Sequence, residues 1–498
     1  MATHPLVALR TATGLSQAAY AQLIARTHAE LGHGQMAARR EKVSRWESGR
    51  IAPEFTAQLA IARIHQVDEG IVLRLGWPQW LMAATGDHDL LHQPWSPQGA
   101  VAVSRLTAAA AGEPGAALIA TGSCLTAQIR GALAALAGGA RPPERGGPRI
   151  APEALAWAEQ RILALERLET GSPVPQHALY LAARTEYRLI TDLLTSHGYD
   201  RATGTRLLLL CARTATLCTW TSHVAGDEAW TERYNLAAIR AASAAGAPHH
   251  TVAYLTQLCY RHLRRGDPRD ALSLLRAARA IVPRPTPRLA VKLHARQSVV
   301  SARLAERTAG LRALDRAEHA LAAASPQWDP EADPTSGNIN EDYLEFSRGH
   351  TWLRLGQPAR ALSCFSALLG DQAAPDRSPS PYDPVQLCPA VEAQLDAGRI
   401  DEAAATIRRA IDRTGGFLPG LANRFRRYLA PHAGHPDVRE LLERLAERPP
   451  AHAVPDPRAA ERVRSDPAGR VVSPGEVSLS SRVRASCSRM QAGPGTRG

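Results

Sequence analysis

A recurring pattern of glycine, small and large apolar residues is the feature that most constrains how this chain folds. Three segments share the form G-x4-A-x3-(large apolar)-x2-(apolar), and they begin at Gly266, Gly356 and Gly398. Two weaker copies lack the glycine and start at Trp230 and Ala313. The anchor positions 230, 271, 313, 361 and 403 are 41, 42, 48 and 42 residues apart. A period of this length predicts a repeated supersecondary unit.

Each part of the pattern has a structural interpretation. The glycine ends a first helix in a left-handed conformation, and the small residue lets a second helix approach closely. The large residue one turn later fills the groove between pairs. Such a pair cannot bury its apolar face alone, so neighbouring pairs stack into a solenoid. Aromatic residues make up only 5% of the chain, which favours close-packed helices over aromatic-rich sheets. The alternative is an irregular helical bundle whose Ala and Leu content mimics a period.

In its second helices the pattern resembles the tetratricopeptide repeat, with longer repeats than usual. Gly349 and Trp352 fall at the small and aromatic positions of that family. We assign residues 151–448 to this repeat domain. The resemblance implies a binding architecture whose groove holds a peptide, a small effector or a second copy of the chain.

Several function classes find no support in the sequence. Phosphate-binding, dinucleotide-binding, nucleophile-elbow and zinc-protease motifs are missing, so we expect neither an enzyme nor a cofactor or metal. The seven cysteines are scattered and never form a C-x-x-C pair, which is typical of a reducing cytoplasm. We predict a cytoplasmic protein with no signal peptide and no membrane span.

The first 24 residues predict a helix, a turn and a second helix. A short helix starts at Leu6 and ends near Gly14. Ser16 is a good N-cap for the next helix, and Gln17 then lies at its N-terminus, where a nucleic-acid phosphate can meet both the amide and free N–H groups. Ala21 is small enough for another helix to cross over it.

A second helical segment follows at 38–47. Val43 and Trp46 lie on one face, which we predict to be buried. Arg40, Glu41, Ser44 and Arg45 lie on the other. Segment 39–50 holds five cations and two acids, and its exposed donors suit the major groove of DNA.

Together, Gly14-Leu15-Ser16-Gln17 and Val43-Ser44-Arg45-Trp46-Glu47-Ser48-Gly49-Arg50 resemble the Xre, or phage-repressor-like, helix-turn-helix family. The resemblance implies that bases are read by Arg40, Glu41, Ser44 and Arg45. It implies phosphate contacts by Gln17, Lys42, Ser48 and Arg50. The turn is about twelve residues longer than usual, which leaves open whether Arg39 or Arg40 leads the recognition helix. We predict that Glu47 is a structural or solvated residue rather than a base contact.

The wider layout resembles a set of actinobacterial regulators with an expanded helix-turn-helix, a linker and degenerate tetratricopeptide-like repeats. The predicted fold is therefore all-α, with a helix-turn-helix domain at 1–85 and an α-solenoid at 151–448. Residues 86–150 are predicted to be an irregular linker with one helix at most, over 116–136. Residues 449–498 contain no aromatic residue and are predicted to be a disordered basic tail.

Positive charge is concentrated at the two ends of the chain. Of the net +12, residues 1–76 contribute +3 from nine cations and six acids, and the tail contributes +4 from eight cations and four acids. Basic ends suggest a polyanionic partner. We therefore expect a homodimeric regulator that binds double-stranded DNA. The alternative is a helical-repeat adaptor whose N-terminal helices bind protein.

Overall fold

The protein is described here by a computed structural model, in which helices are the only regular elements of the described residues. These are 4–85, 87–109, 119–139, 144–171, 176–225, 227–325, 339–366, 369, 383–414 and 419–446. Two isolated bridges, Arg145–Tyr199 and Arg149–Gly198, are the only β pairings within them. The predicted all-α class is confirmed. No helix in these ranges combines the length and the apolar character needed to cross a membrane. The predicted tail at 449–498 lies outside them.

Six short helices form an N-terminal bundle. They are α1 (Pro5–Ala12), α2 (Gln17–Glu30), α3 (Arg40–Glu47), α4 (Phe55–Ile64), α5 (Glu69–Leu75) and α6 (Leu81–Ala84). Their apolar faces enclose a core of their own that includes Tyr20, Ile24, Val43 and Trp80. The Trp80 indole N–H donates to Gln58 Oε1 at 3.1 Å, so even the largest buried ring has its polar atom paired.

The prediction of an irregular linker at 86–150 is wrong. This stretch contains α7 (Asp87–His92), α8 (Pro97–Ala109) and α9 (Gly122–Ala137). Their residues Leu90, Val103 and Leu125 belong to the same hydrophobic core as the following helices. Gly131 lies inside α9, and its small size has a packing reason. A Cβ at this position would lie 2.1 Å from the Trp95 ring.

The rest of the described chain is a series of helix hairpins with short connections. The pairs are α10 (Pro152–Gly171) with α11 (Gln176–Ser196), α12 (Arg201–Ala225) with α13 (Glu228–Ala244), α14 (Pro248–Arg265) with α15 (Pro268–Ile281), α16 (Pro287–Arg303) with α17 (Arg307–Ala322), α18 (Glu341–Arg354) with α19 (Pro358–Cys364), α20 (Asp383–Asp396) with α21 (Ile400–Thr414), and α22 (Pro419–Leu429) with α23 (Pro436–Arg444). A short 3-10 helix, Ala430–His432, joins the last two.

Motif positions of the three strong repeat copies are buried in the second helices. The residues concerned are Ala271, Leu275, Ala278, Ala361, Phe365, Ala403, Ile407 and Ala410. The first helices contact one another from hairpin to hairpin, α14 with α16, α16 with α18 and α18 with α20. Close approach is visible at Gly349, where a Cβ would lie 2.5 Å from the Phe365 ring. The sequence repeat therefore marks the buried side of each second helix.

The weak copy placed at Ala313 is shifted by three residues from its true register. In α17 the tight position is Gly310, where a Cβ would come within 3.1 Å of the Ser298 carbonyl oxygen. Leu314 and Ala317 then occupy the large and small buried positions. The preceding turn residue is Ala305, which stands where the strong copies carry glycine. Because glycine and alanine exchange places in this copy, the sequence pattern pointed to the wrong alanine.

Three hairpin turns have a residue in the left-handed conformation at the equivalent position. Ala305, Gly356 and Gly398 have φ angles of 63°, 69° and 73°. At each, the next N–H bonds back to a carbonyl five residues before it, as in a Schellman turn. Gly266 differs from the prediction, because its φ is −105°. Its small size is needed instead, since a Cβ there would lie 2.7 Å from His262 Nδ1.

Helix α13 lies at the centre of the fold, and all 17 of its residues are buried. Its charged side chains pair with the segment that precedes the hairpins. The Arg233 guanidinium donates to both Asp87 carboxylate oxygens, at 2.8 and 2.7 Å. The Glu232 carboxylate accepts from the backbone N–H groups of Ile119 and Ala120. Arg240 donates to Leu91 O and Gln128 Oε1, and burial lowers its pKa to about 10.

The last hairpin returns to the first part of this series. Helix α22 contacts α12. Arg424 of α22, buried to 2% exposure, bonds Glu228 at the start of α13 with 2.5 Å between Nη2 and Oε1. The two residues are 196 positions apart. This ion pair joins the last hairpin to the second one, α12 with α13.

The left-handed turns predict opposite effects for two reciprocal substitutions. Gly356→Ala should lower the free energy of unfolding by about 1 kcal/mol, because a Cβ is strained at positive φ. Ala305→Gly should relieve that strain and raise the free energy of unfolding by up to about 1 kcal/mol. Chemical denaturation of the full chain measures both. Ala309→Gly, at an exposed position inside α17, is the control and should be destabilising. Equal losses at 305 and 309 would contradict the shared turn geometry.

Buried histidines predict a protein that is sensitive to acid. Burial lowers the pKa of His4, His65, His223, His262, His294 and His350, with His262 reaching about 4. Between pH 6.5 and 4 the folded chain therefore binds fewer protons than the unfolded chain, so the free energy of unfolding falls as pH falls. His262 alone should cost about 2 kcal/mol at pH 5. Thermal unfolding of the wild type and His262→Gln from pH 8 to 5 tests this. The variant should show the shallower loss, and a melting temperature that is constant towards acid would refute it.

Candidate nucleic-acid interface

The structure fixes the start and the end of the candidate recognition helix. Helix α3 begins at Arg40, and Arg39 is its extended N-cap residue, with φ −101° and ψ 126°. Arg40 therefore leads the helix. The helix ends as predicted at Gly49, whose φ is +69° and whose N–H bonds to Trp46 O at 3.0 Å. Eight residues make this helix about 12 Å long.

The two faces of α3 separate as the helical period predicts. Val43 and Trp46 are buried in the N-terminal core, as expected. Arg40, Glu41, Ser44 and Arg45 are exposed on the opposite side. The apolar pair thus fixes the rotation of the helix about its axis, and this rotation points the polar side chains to solvent.

Glu47 is a structural residue, in agreement with the prediction. Its carboxylate is buried and forms an ion pair with Arg10, with 2.5 Å between Nε and Oε1. It also accepts a hydrogen bond from Gln17 Nε2 at 2.6 Å. Arg10 additionally donates to the Leu15 carbonyl at 2.8 Å. This network ties α1 and the start of α2 to the end of α3.

Arg10 is a residue that sequence reasoning missed. It is 37 positions from Glu47, and nothing in the local pattern of α1 marks it as a partner of α3. Its effect on the interface is electrostatic as well as structural. Because Arg10 neutralises Glu47 inside the domain, only Glu41 is left to oppose the cations of segment 39–50. Five cations minus one exposed acid leaves +4 on this surface.

These cations are not used to hold the domain together. Among the described residues, none of the five is within ion-pair distance of a carboxylate. Arg40 makes one long hydrogen bond, at 3.4 Å from its Nε to Gln17 Oε1. The positive side chains on and around α3 are therefore available to an anionic partner.

Gln17 is engaged more than expected. Ser16 caps α2 as predicted, since its Oγ accepts from Ala19 N at 3.2 Å. The amide of Gln17 lies between the carboxylate of Glu47 and the guanidinium of Arg40. Its proposed phosphate contact stays a prediction that depends on the side chain's free lone pairs and on the helix N-terminus.

The long connection between α2 and α3 is ordered by its own contacts. Part of the predicted extra length is helix, because α2 continues to Glu30. Gly32 and Gly34 then turn the chain with φ of 80° and 82°. Buried His28 pairs through Nδ1 with the Gly34 carbonyl at 2.9 Å, and Met36 packs on the domain core.

All nine predicted DNA-binding residues lie around α3 and the start of α2. Exposed members are Arg39, Arg40, Glu41, Ser44, Arg45, Ser48 and Arg50, and half-buried members are Gln17 and Lys42. The Ser48 hydroxyl donates to Arg45 O at 2.8 Å. In the described part of the chain, one group could converge on a metal ion, exposed Asp401 with half-buried His435 and Asp437, but it is far from α3 in sequence.

Comparison of the chain with protein-family models, with curated proteins and with solved structures finds no match in any of the three.

Breaking the Arg10–Glu47 pair should destabilise the interface more than removing an exposed cation. Arg10→Ala leaves a buried carboxylate without its countercharge and should cost about 3 kcal/mol. Arg45→Ala, the control on the exposed face, should change stability by about 0.5 kcal/mol or less. Amide hydrogen exchange of segment 40–50 in the full chain measures both. Adding Glu47→Gln to Arg10→Ala should recover part of the loss, and equal exchange in both single variants would contradict a structural role for the pair.

Proposed function

We propose that this protein is a DNA-binding transcriptional regulator. Helices α2 and α3 act as a helix-turn-helix of the Xre type, with α3 in the major groove. The hairpins from α10 to α23 act as a tetratricopeptide-like solenoid that dimerises or senses an effector. One observation carries the proposal, the exposed +4 surface of α3 and its flanks, held in place by buried Val43, Trp46 and Glu47.

The chemistry of this surface suits duplex DNA. Arginine donates two parallel hydrogen bonds to the guanine edge, and Arg40 and Arg45 are exposed on successive turns of α3. Lys42 lies within α3, and Ser48 and Arg50 follow its end, at positions suited to phosphate contacts. Two copies related by a twofold axis would place their α3 helices about 34–36 Å apart, or a multiple of this, on an inverted repeat. Such a regulator works in the cytoplasm.

A second candidate is an adaptor whose N-terminal domain binds protein. Two large apolar side chains beside the end of α3 favour it, since Ile51 is 50% exposed and Phe55 is 44% exposed. Exposed apolar groups beside charges are typical of protein contact surfaces. Glu41, which repels DNA phosphate, would then be a partner contact.

Selection from random duplexes separates the two functions. Full-length protein at fixed, near-physiological salt should enrich one sequence, and the double variant Arg40→Ala/Arg45→Ala should lose it. Each lost arginine–guanine pair should cost about 1–3 kcal/mol, and Lys42→Ala should weaken all duplexes alike and flatten the salt dependence.

The matched control is Arg63→Ala/Arg74→Ala. It removes two exposed cations from α4 and α5 of the same domain. It should keep the enriched sequence. Salt-sensitive binding with no enriched sequence, equal in both double variants, would sink the regulator and leave the adaptor.

A further inference from the structure

The first helices of the hairpins carry a cluster of arginines on the side where they meet one another. This inner arginine cluster comprises Arg261 and Arg264 of α14, Arg296 and Arg303 of α16, Arg354 of α18 and Arg424 of α22. Each is buried or half-buried. Aromatic rings connect its members, since the Arg296 guanidinium carbon lies 4.1 Å from the Tyr260 ring centre and Tyr260 lies 6.3 Å from His350.

Two carboxylates form ion pairs with members of this cluster. Glu228 pairs with three of its members, Arg261, Arg264 and Arg424, at 3.1, 3.7 and 2.5 Å. Glu392 pairs with Arg354 at 2.6 Å. Counted over the part of the chain that the structure describes, six arginines against two directly paired carboxylates leave an excess of four positive charges. Buried charge without a countercharge is expensive, so an excess of this size favours an anion.

Other acids close to the cluster are committed elsewhere. The Glu232 carboxylate accepts from the N–H groups of Ile119 and Ala120. Asp267 caps α15 through Arg269 N at 2.8 Å. Asp396 is exposed at the end of α20. None of the three forms an ion pair with the cluster among the described residues.

Four polar atoms on α16 and α18 have no hydrogen-bond partner among the described residues. Arg296 contacts the rings of Tyr260 and Tyr343, and its Nε has no hydrogen bond. Tyr343, His350 and Arg354 follow one another along one face of α18, and Tyr343 OH, His350 Nδ1 and Arg354 Nε are all buried without a hydrogen-bond partner. His350 itself is only 3% exposed. Native proteins seldom leave buried polar atoms unpaired, so four of them on two contacting helices favour a ligand.

His350 adds no positive charge to this site. Burial and the nearby Arg354, Arg296, Arg264 and Arg303 hold the pKa of His350 well below its usual range. A neutral imidazole in such surroundings adds no charge, and it can still donate one N–H to an anion.

We propose that Arg296, Arg354, His350 and Tyr343 form a binding site for a small, multiply charged oxyanion, either a phosphate ester or a polycarboxylate. Guanidinium groups pair well with both kinds of oxygen. The anion would offset the excess charge and tie α16 to α18. As the effector of a regulator this ligand rests on the proposed function, but the binding itself does not.

Thermal unfolding of the full chain tests the site without any DNA. Pyrophosphate and citrate are the two probes, each compared with sodium chloride at equal ionic strength. We expect at least one of them to raise the melting temperature by several degrees, because a ligand that binds only the folded state stabilises it. Stabilisation by pyrophosphate alone assigns a phosphate ester, and stabilisation by citrate alone assigns a polycarboxylate.

Variants separate this site from general salt effects and from the DNA-binding surface. Arg296→Gln should abolish the shift without lowering the melting temperature in chloride, because it removes a half-buried charge that forms no ion pair among the described residues. Tyr343→Phe removes only the unpartnered hydroxyl and should weaken binding about tenfold. Arg360→Gln, an equal charge change at an exposed position of α19, should keep the full shift, and so should Arg40→Ala/Arg45→Ala.

Three results would overturn the site. In the first, neither pyrophosphate nor citrate raises the melting temperature more than sodium chloride does. In the second, Arg296→Gln and Tyr343→Phe show the same increase in melting temperature as the wild type. The third is a shift lost in Arg40→Ala/Arg45→Ala, which would place the anion on α3. A failed duplex selection together with a normal anion response would remove the regulator and keep the site.

Discussion

Burial of α13 with its charges intact is the constraint on which the hairpin region depends. A helix with every residue buried cannot leave Glu228, Glu232, Arg233 and Arg240 unpaired, since each would carry a desolvation cost of several kcal/mol. Their partners come from both directions along the chain. Residues 87–128 supply Asp87, backbone N–H groups and carbonyls, and α14 and α22 supply the arginines around Glu228. The segment before the hairpins and the last hairpin are therefore both required to bury this one helix.

A buried charge with its partners also determines the surface of the N-terminal domain. Glu47 is placed inside by the Val43 and Trp46 face of α3, and Arg10 and Gln17 satisfy it there. The interior pair gives the helix a fixed position and removes a negative charge from its surroundings. A sequence that shows five cations and two acids thus produces a surface with five cations and one acid. Electrostatics of the surface is decided here by a contact in the core.

Positively charged side chains have different surroundings in the two parts of the described chain. Around α3 the cations face solvent and are free of ion pairs among the described residues, which suits a partner that arrives from outside. Along α14, α16 and α18 the arginines are buried or half-buried, where charges repel one another more strongly than in water, and the proposed anion would offset this repulsion.

Local periodicity and composition determined the all-α class, the start of α2 with its Ser16 cap, the Gly49 stop and the buried face of the strong repeat copies. These features depend on residues within one or two turns of each other, so a single sequence contains them. Tertiary structure alone decided that α7, α8 and α9 belong to the core of the hairpin region, that Gly310 rather than Ala313 is the tight contact of α17, and that Arg10 holds Glu47. It also decided that Arg424 meets Glu228 and that Arg296 meets His350. In each of these cases the reason is a partner at least a helix away, whose position follows from packing and not from the spacing of residues along the chain.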